Sequence, residues 1–460
     1  MTMLSLGEAA RLIPGATLRG DPATTFERVS TDSRTVGPGD LFVALKGERF
    51  DAHDFVADVL ARGAVAALVA EDFALDNASL IKVDDTRLAL GRLAAGWAAA
   101  LPALRVGITG SNGKTTVKEM LSAILKAHAG EQAVHATAGN FNNDIGLPLT
   151  LLGLTAAHRY AVLEMGMNHH GELTYLSSLA RPQVALVNNA MRAHIGHFAD
   201  TADIARAKAE IFSGLPADGV AIVNADDANI ALFRAAAGTH RICSFGLQQQ
   251  ADISARDISL QALGSRFTLC SPQGEQAISL PAPGEHNVRN ALAAAAMALA
   301  LDVPLAAIAA GLAVFGNAKG RLQQKTGRHG GVVIDDSYNA NPDSMKAGID
   351  VLAGLPAPHC FVMGDIGELG ETAAQMHAEV GEHARLRGIA QLVTLGELSH
   401  HAAAAFGDGA HSFDDFTALA SWLDANLQAG ASVLVKGSRF MRMERVVEHL
   451  TTAKQQEEGV

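Results

Sequence analysis

The chain has 460 residues, which at about 150 residues per domain predicts some three domains and a cleft between domains rather than one small binding module. It is 48% hydrophobic and 18% charged, ordinary globular usage with enough apolar mass for several cores, which excludes a disordered tail or a fibre. Thirty-six Lys plus Arg against 48 Asp plus Glu leave a net charge of −12, and no basic run interrupts that balance. This argues against a nucleic-acid surface but not against a small anionic ligand, which local backbone dipoles can hold.

Up to about residue 102, short β-like runs (DLFVAL at 40–45, AVAALVA at 64–70) mix with polar turns and lead into an Ala-rich helical stretch, Leu88 to Ala100, stopped by Pro102. From Leu104 apolar strands alternate with helices: RVGIT at 105–109, YAVLEM at 160–165, VALVNN at 184–189 and VAIVNADD at 220–227. Such alternation predicts a parallel sheet with crossover helices. Between 241 and 281 the runs RICSF, RFTLC and AISL predict a few antiparallel strands, followed by an Ala-rich helix from about Val288 to Leu301. After Gly316 a second alternation begins, with GVVIDDS, CFVMGD, QLVTLGE and SVLVKGS each ending in a Gly or polar residue. The expected fold class is α/β in three domains: a small α/β domain over 1–102, a central parallel-sheet domain over 103–316 and a doubly wound, Rossmann-like domain over 317–460.

Cys243, Cys270 and Cys360 are odd in number, far apart and without a Cys-x-x-Cys pair, so neither a disulfide framework nor a zinc knuckle is expected. The start, MTMLSLGEAARL, has Glu8 and no basic segment ahead of its apolar stretch, unlike a secretion signal. The run Ala291 to Leu301 is too short to span a bilayer and is flanked by Arg289 and Asp302. A soluble cytoplasmic protein is the expectation.

The strongest chemical signal is Gly110-Ser111-Asn112-Gly113-Lys114-Thr115-Thr116, directly after RVGIT and before the helical run VKEMLSAILKAH. Glycine-rich backbone N–H groups and a helix N-terminus wrap phosphate oxygens, Lys114 reaches the β- and γ-phosphates, and the Thr115 hydroxyl ligates magnesium. The usual G-x-x-x-x-G-K-[ST] pattern asks for glycine where this chain has Ile108. Glu164 ends an apolar strand, where a carboxylate faces the crevice at the sheet's edge and suits a magnesium ion beside phosphates; a bland alternative is a helix N-terminal carboxylate. His194 and His197 lie on the loop MRAHIGHF, where histidines are by default solvated. Asp200 and Asp203 open a helix whose Ile204, Lys208, Ile211 and Phe212 share one face. Burial there would lower the Lys208 pKa and leave a nucleophilic amine, although periodicity alone more readily lets the ammonium snorkel to the surface. In the third segment Arg321 in GRLQ, Asp335-Asp336-Ser337-Tyr338-Asn339-Ala340-Asn341-Pro342, GDIGELG at 364–370 and Lys436-Gly437-Ser438-Arg439 are turn chemistry one by one, but together they suggest a ligand-facing edge. Asn287 and Asn290 in GEHNVRN begin a helix.

Taken together, STDSR at 30–34 with LFVALKGERFDAHDF, TGSNGKTT, GNFNNDIGLPLTLL at 140–152, LEMGMN, AHIGHF, ARAKAEIF, GEHNVRNALAA, GRLQ, DDSYNANPDSM, GDIGELG and LVKGSR resemble the Mur ligase family over nearly the whole chain. In that family the phosphate loop starts with glycine at the third position before Gly113, which accounts for Ile108. The resemblance implies a central ATP-binding P-loop domain between a UDP-substrate-binding first domain and a C-terminal ligase domain. It implies that Gly110 to Thr116 with Asn287, Arg321 and Asp336 hold ATP, Asp336 on the ribose. Thr115, Glu164 and His194 would serve Mg²⁺, with Lys208 carried as a carbamate, so that Lys114, Lys208 and His194 form the catalytic set. Asp32, Ser33 and Arg34 would belong to the UDP-binding loop. Ala199-Asp200 departs from the family's more usual Gly-Ser, and Asp200 still supplies a cap. The D-N-P-R signature of the diaminopimelate-adding members is not seen, and SYNANPDSM resembles the members that add the dipeptide D-alanyl-D-alanine to UDP-N-acetylmuramoyl-tripeptide. The implied partners are those two substrates, acted on by a monomer. Alternatives are a Mur-type ligase adding a single amino acid, or a nucleotide-binding module without amide synthesis.

Overall fold

In a computed structural model, residues 2–48, 50–193 and 195–451 are described. Two compact units are resolved, one of Met1–Ile108, Ala129–Ala185 and Glu210–Val220, the other of Thr109–His128, Leu186–Ala209 and Ala221–Val460. Both are α/β with parallel sheets, the expected class.

In the first unit a five-stranded sheet runs in the order Thr17–Arg19, Leu80–Val83, Ala66–Ala70, Asp40–Val43, Arg28–Ser30. Only the first pairing is antiparallel. Asp40–Val43 is buried along its whole length, as a strand covered on both faces must be. The helix expected from Leu88 starts earlier, at Thr86, because the Asp85 carboxylate accepts the N–H groups of Arg87 and Leu88. It buries Ala89, Leu90, Leu93, Ala94 and Ala98 and ends at Ala99. Tyr160–Glu164 lies between Leu104–Thr109 and Val134–Ala136, parallel to both. The register sets Glu164 level with Ile108, two residues before the glycine loop.

In the second unit the helix Lys114–Ala129 buries Val117, Met120, Leu121, Ile124 and Leu125, the spacing of an inward stripe. An antiparallel sheet is built from Ser254–Gln261, Gly264–Ser271 and Gly274–Leu280. RICSF, expected among those strands, is instead the strand Arg241–Phe245 beside Val220–Asn224, in a different sheet. A short apolar run flanked by turns does not say which sheet it joins. The helix Glu285–Ala300 is buried from Asn287 to Leu299 apart from Arg289, its run of alanines permitting close approach on several sides.

The last sheet has the order Gln323–Thr326, Val332–Asp336, Ser432–Lys436, His359–Gly364, Gln391–Leu395, Ala410–Phe413. Only the first strand is antiparallel. Its alternate residues feed two cores: Ile334, Phe361, Met363 and Leu434 on one face, Val333, Cys360, Val362, Val433 and Val435 on the other. Ser432–Lys436, last in sequence, sits between Val332–Asp336 and His359–Gly364 and aligns Lys436 with Asp336 and Met363. That order change places a crevice at the strands' C-terminal ends.

Candidate active site

The glycine loop is shaped by Asn188 and Asn189, whose role the sequence did not mark, together with Asn287 and Asn290 of GEHNVRN. Gly113 has φ +80°, and a Cβ there would lie 2.4 Å from Asn290 Oδ1 and 2.6 Å from Asn188 Nδ2. Those two atoms are themselves hydrogen-bonded at 3.0 Å. Asn188 and Asn189 donate to the Asn112 carbonyl at 2.9 and 3.1 Å, and Asn112 N–H donates to Asn189 Oδ1 at 2.9 Å. Asn290 Nδ2 donates to Asn287 Oδ1, and Asn287 Nδ2 to the Pro283 carbonyl, which fixes the Asn287 amide. Gly113→Ala is therefore expected to cost about 2 kcal/mol or more, from left-handed strain and from wedging apart the Asn188–Asn290 bond. Denaturant unfolding together with an ATP-binding measurement checks this; unchanged values in both would refute it.

Lys114 opens the helix, and its Nζ donates to the carbonyls of Gly110 at 2.7 Å and Ser111 at 3.4 Å. Ser111 to Thr116, Asn287, Arg321 and Asp336 line one cavity of about 670 Å³, wholly within the second unit. That size suits a nucleotide-sized ligand. Asp336 accepts the Leu322 N–H at 3.1 Å and pairs with Lys436 at 2.6 Å, while Lys436 Nζ also donates to the Asn339 carbonyl at 3.0 Å. The Arg321 guanidinium lies 4.4 Å from the Tyr338 ring centroid and that of Arg439 5.7 Å from it. The GDIGELG loop reaches the same cavity through Gly367 and Glu368. Its backbone is held by His377 Nε2 accepting from Ile366 N–H, Ser438 Oγ from Gly367 N–H, and Glu368 O from Gly196 N–H. Glu368 has φ +62°, a conformation uncommon outside glycine.

Lys208 is buried at 2% exposure, so the snorkelling alternative does not hold. Asp200 caps its helix, Thr201–Ala209, by accepting Asp203 N–H at 2.7 Å, and the chain then tightens into a 3-10 turn over Glu210–Gly214. Burial, reinforced by the positive charge of Lys114, drives the Lys208 pKa far below the ordinary lysine value. His194 lies outside the described residues.

In the first unit Glu164 is 2% exposed, its Oε1 accepting from Asn142 Nδ2 at 2.9 Å and its backbone N–H donating to Thr137 Oγ1 at 3.0 Å. Asp32 and Arg34 pair through two side-chain bonds of 2.8 Å, which with the Arg34 N–H bring the Asp32 pKa to about 2. The Ser33 carbonyl accepts from Arg62. Among the described residues no set of three or more His, Cys, Asp or Glu side chains forms a metal-binding group. Oxygen donors of the Thr115 and Glu164 type nevertheless suit a hard divalent cation such as Mg²⁺.

Comparison with known proteins matches the Mur ligase family model described as its catalytic domain over residues 25–98, the Mur ligase middle domain over 108–298 and the Mur ligase glutamate ligase domain over 320–439. The UDP-N-acetylmuramoyl-tripeptide–D-alanyl-D-alanine ligase of Escherichia coli strain K12 is 44% identical, covering 98% of this chain and 99% of its own. The ligase of the same name from Bacillus subtilis strain 168 is 35% identical over 93% of both chains. A crystal structure of MurF from Acinetobacter baumannii superposes with a TM-score of 0.92 at 39% identity, over 98% of this chain and 99% of that one. The MurF ligase of Thermotoga maritima in complex with ADP gives 0.81 at 27% identity, over 92% and 96%. With relatives of 44% and 35% identity covering 98% and 93% of it, the chain belongs to the Mur ligase family.

Proposed function

We propose that the protein joins D-alanyl-D-alanine to UDP-N-acetylmuramoyl-tripeptide at the expense of ATP. The observation that carries the reading is a single cavity lined by the glycine loop with Lys114 together with Arg321, Asp336 and Lys436. The relatives named for this reaction support the choice of substrates. The tripeptide's terminal carboxylate attacks the γ-phosphorus, the bond to the β,γ-bridging oxygen breaks, and ADP leaves. The free amine of the dipeptide then attacks the acyl phosphate carbonyl, loses a proton, and inorganic phosphate departs from the tetrahedral intermediate. A carboxylate is a poor electrophile, so phosphorylation supplies its leaving group, while Lys114 offsets charge on the transferring phosphoryl.

We assign Asp336 to the ribose and Asn287 and Arg321 to the remainder of the nucleotide, as the family resemblance implies; that all three line the cavity with the glycine loop supports the assignment. Thr115, Glu164, His194 and a carbamate on Lys208 are the proposed ligands of Mg²⁺, which when bound supplies charge neutralisation and orientation of the phosphates. The carbamate fits the buried amine: neutral Lys208 Nζ attacks CO₂, a C–N bond forms and a proton is released. Asp32, Ser33 and Arg34 are assigned to the UDP group. Domains of 1–102, 103–316 and 317–460 are supported by the three family matches falling one in each. We place the enzyme in the cytoplasm as a monomer. Among the described residues no helix is long and apolar enough to cross a membrane, and the three cysteines are unpaired.

The test offers UDP-tripeptides ending in diaminopimelate or lysine with D-alanyl-D-alanine or with single amino acids. ADP and phosphate should appear in step with a UDP-pentapeptide, and only when both co-substrates are present. Attachment of a single amino acid, or nucleotide binding with no co-substrate-dependent turnover, would overturn the reading.

A further inference from the structure

The loop after the strand Val184–Val187 carries Arg192, which no sequence motif marked. Its backbone N–H donates to Asp343 Oδ2 at 3.1 Å, its Nε to both Asp343 oxygens at 3.2 and 3.4 Å, and its Nη2 to Asp343 Oδ1 at 2.7 Å. Nη1 donates to Glu379 Oε2 at 2.8 Å, and Lys346 Nζ reaches the same oxygen at 3.2 Å. These partners lie 151 and 187 residues further along the chain, on the helices Pro342–Ala353 and Ala373–Leu386. The carboxylates hold the guanidinium more firmly protonated than usual, and Arg192 in turn keeps the Glu379 carboxyl below the ordinary range. Forked, charge-assisted contacts of this kind fix direction as well as distance.

The same loop is stitched to the glycine loop from its other side. Ser111 Oγ accepts from Met191 N–H and donates to Met191 O, both at 2.9 Å, and Ser111 N–H donates to Asn189 O at 3.0 Å. Immediately before the first helix, Asn341 Nδ2 donates to Asn112 Oδ1 at 2.6 Å while its own Oδ1 accepts from Asn112 Nδ2 at 3.4 Å. Two long-range joints therefore connect the wall that holds the phosphates to the wall that carries Arg321, Asp336 and Tyr338.

We propose that Arg192 is a positioning residue for phosphoryl transfer. Clamped on Asp343 and Glu379, it sets the separation between the glycine loop and the N-terminus of the helix Pro342–Ala353, and so the fit of the cavity to nucleotide. Its guanidinium edge is occupied by two carboxylates, which makes it a joint between walls rather than a phosphate ligand. The proposal rests on the ATP-dependent reading above.

The experiment compares steady-state kinetics of the full chain with Arg192→Ala, Asp343→Ala, their double variant and the milder Glu379→Gln. Each alanine variant should raise the KM for ATP about tenfold, leave the KM for UDP-tripeptide within about twofold, and combine non-additively in the double variant. Glu379→Gln, which keeps an acceptor but loses the charge, should give a smaller rise of the same kind. An unchanged KM for ATP, additive effects, or a parallel rise of every KM with a falling melting temperature would overturn the proposal. Should an alanine variant fold poorly, the selective rise in Glu379→Gln decides in its place. An inactive wild type would remove the functional reading and this inference together, whereas an active wild type matched by its variants removes the inference alone.

Discussion

Lys208→Ala is expected to lower kcat about 10²–10³-fold, the scale on which loss of one preorganised charged group acts. The side chain is buried, next to the charge of Lys114, in surroundings that disfavour an ammonium. An ammonium at Lys208 would be repelled by the part-buried Lys114, and a carbamate there replaces that repulsion with attraction. Alanine removes the anion together with its stem, so a short carboxylate such as acetate should restore part of the lost rate by occupying the vacated space. Carbon-labelled CO₂ should give a carbamyl carbon resonance in wild type that disappears in Lys208→Ala, a readout independent of activity. Near-wild-type turnover in the variant, or a wild type with no such resonance under saturating CO₂, would count against the carbamate.

The second large effect is expected at Lys114. Lys114→Ala should reduce kcat by about 10³-fold or more, the range found for a cation that stabilises a transferring phosphoryl group. Its Nζ rests on the Gly110 and Ser111 carbonyls, inside the curve of the loop that would receive the phosphates. The variant should keep its affinity for the UDP substrate, because Asp32, Ser33 and Arg34 belong to the other unit. Equilibrium binding of UDP-tripeptide beside single-turnover ADP release separates the two effects. Loss of both together would mean that Lys114 supports the fold rather than the chemistry.

Local signals carried most of the fold. Continuous apolar runs such as YAVLE and VALV became strands buried on both faces, and turn residues ended them close to where they were read. The helix boundary at Thr86 was missed because the capping oxygen of Asp85 outweighs the weak start of the apolar pattern. RICSF was misplaced because strand character is local while sheet membership depends on distant partners. The site divides in the same way. Ser111 to Thr116, Asn287, Arg321 and Asp336 stand in recognisable strings and do share a cavity. Arg192 and Asp343, 151 residues apart, have nothing in either neighbourhood that points to the other. The amides of Asn188 and Asn290 meet around Gly113 only because a strand end and a helix start converge there. For Lys208 the amphipathic spacing gave the correct face, and only the tertiary structure decided between burial and escape to solvent.

The strand Ser432–Lys436 has a consequence for how the protein comes into being. It occupies the middle of its sheet, hydrogen-bonded on both sides, yet it leaves the ribosome after every other strand of that sheet. Until it arrives, Val332–Asp336 and His359–Gly364 have no partner between them, and the last domain exists as two ribbons with open edges. Lys436, 97 residues beyond the Asn339 carbonyl it meets, completes the nucleotide cavity only at that moment. A chain still being translated, or one cut short by a premature stop codon, therefore has a glycine loop but no finished pocket opposite it. Two strand edges of that sheet stay open to wrong pairing until Ser432–Lys436 has been made and inserted between them.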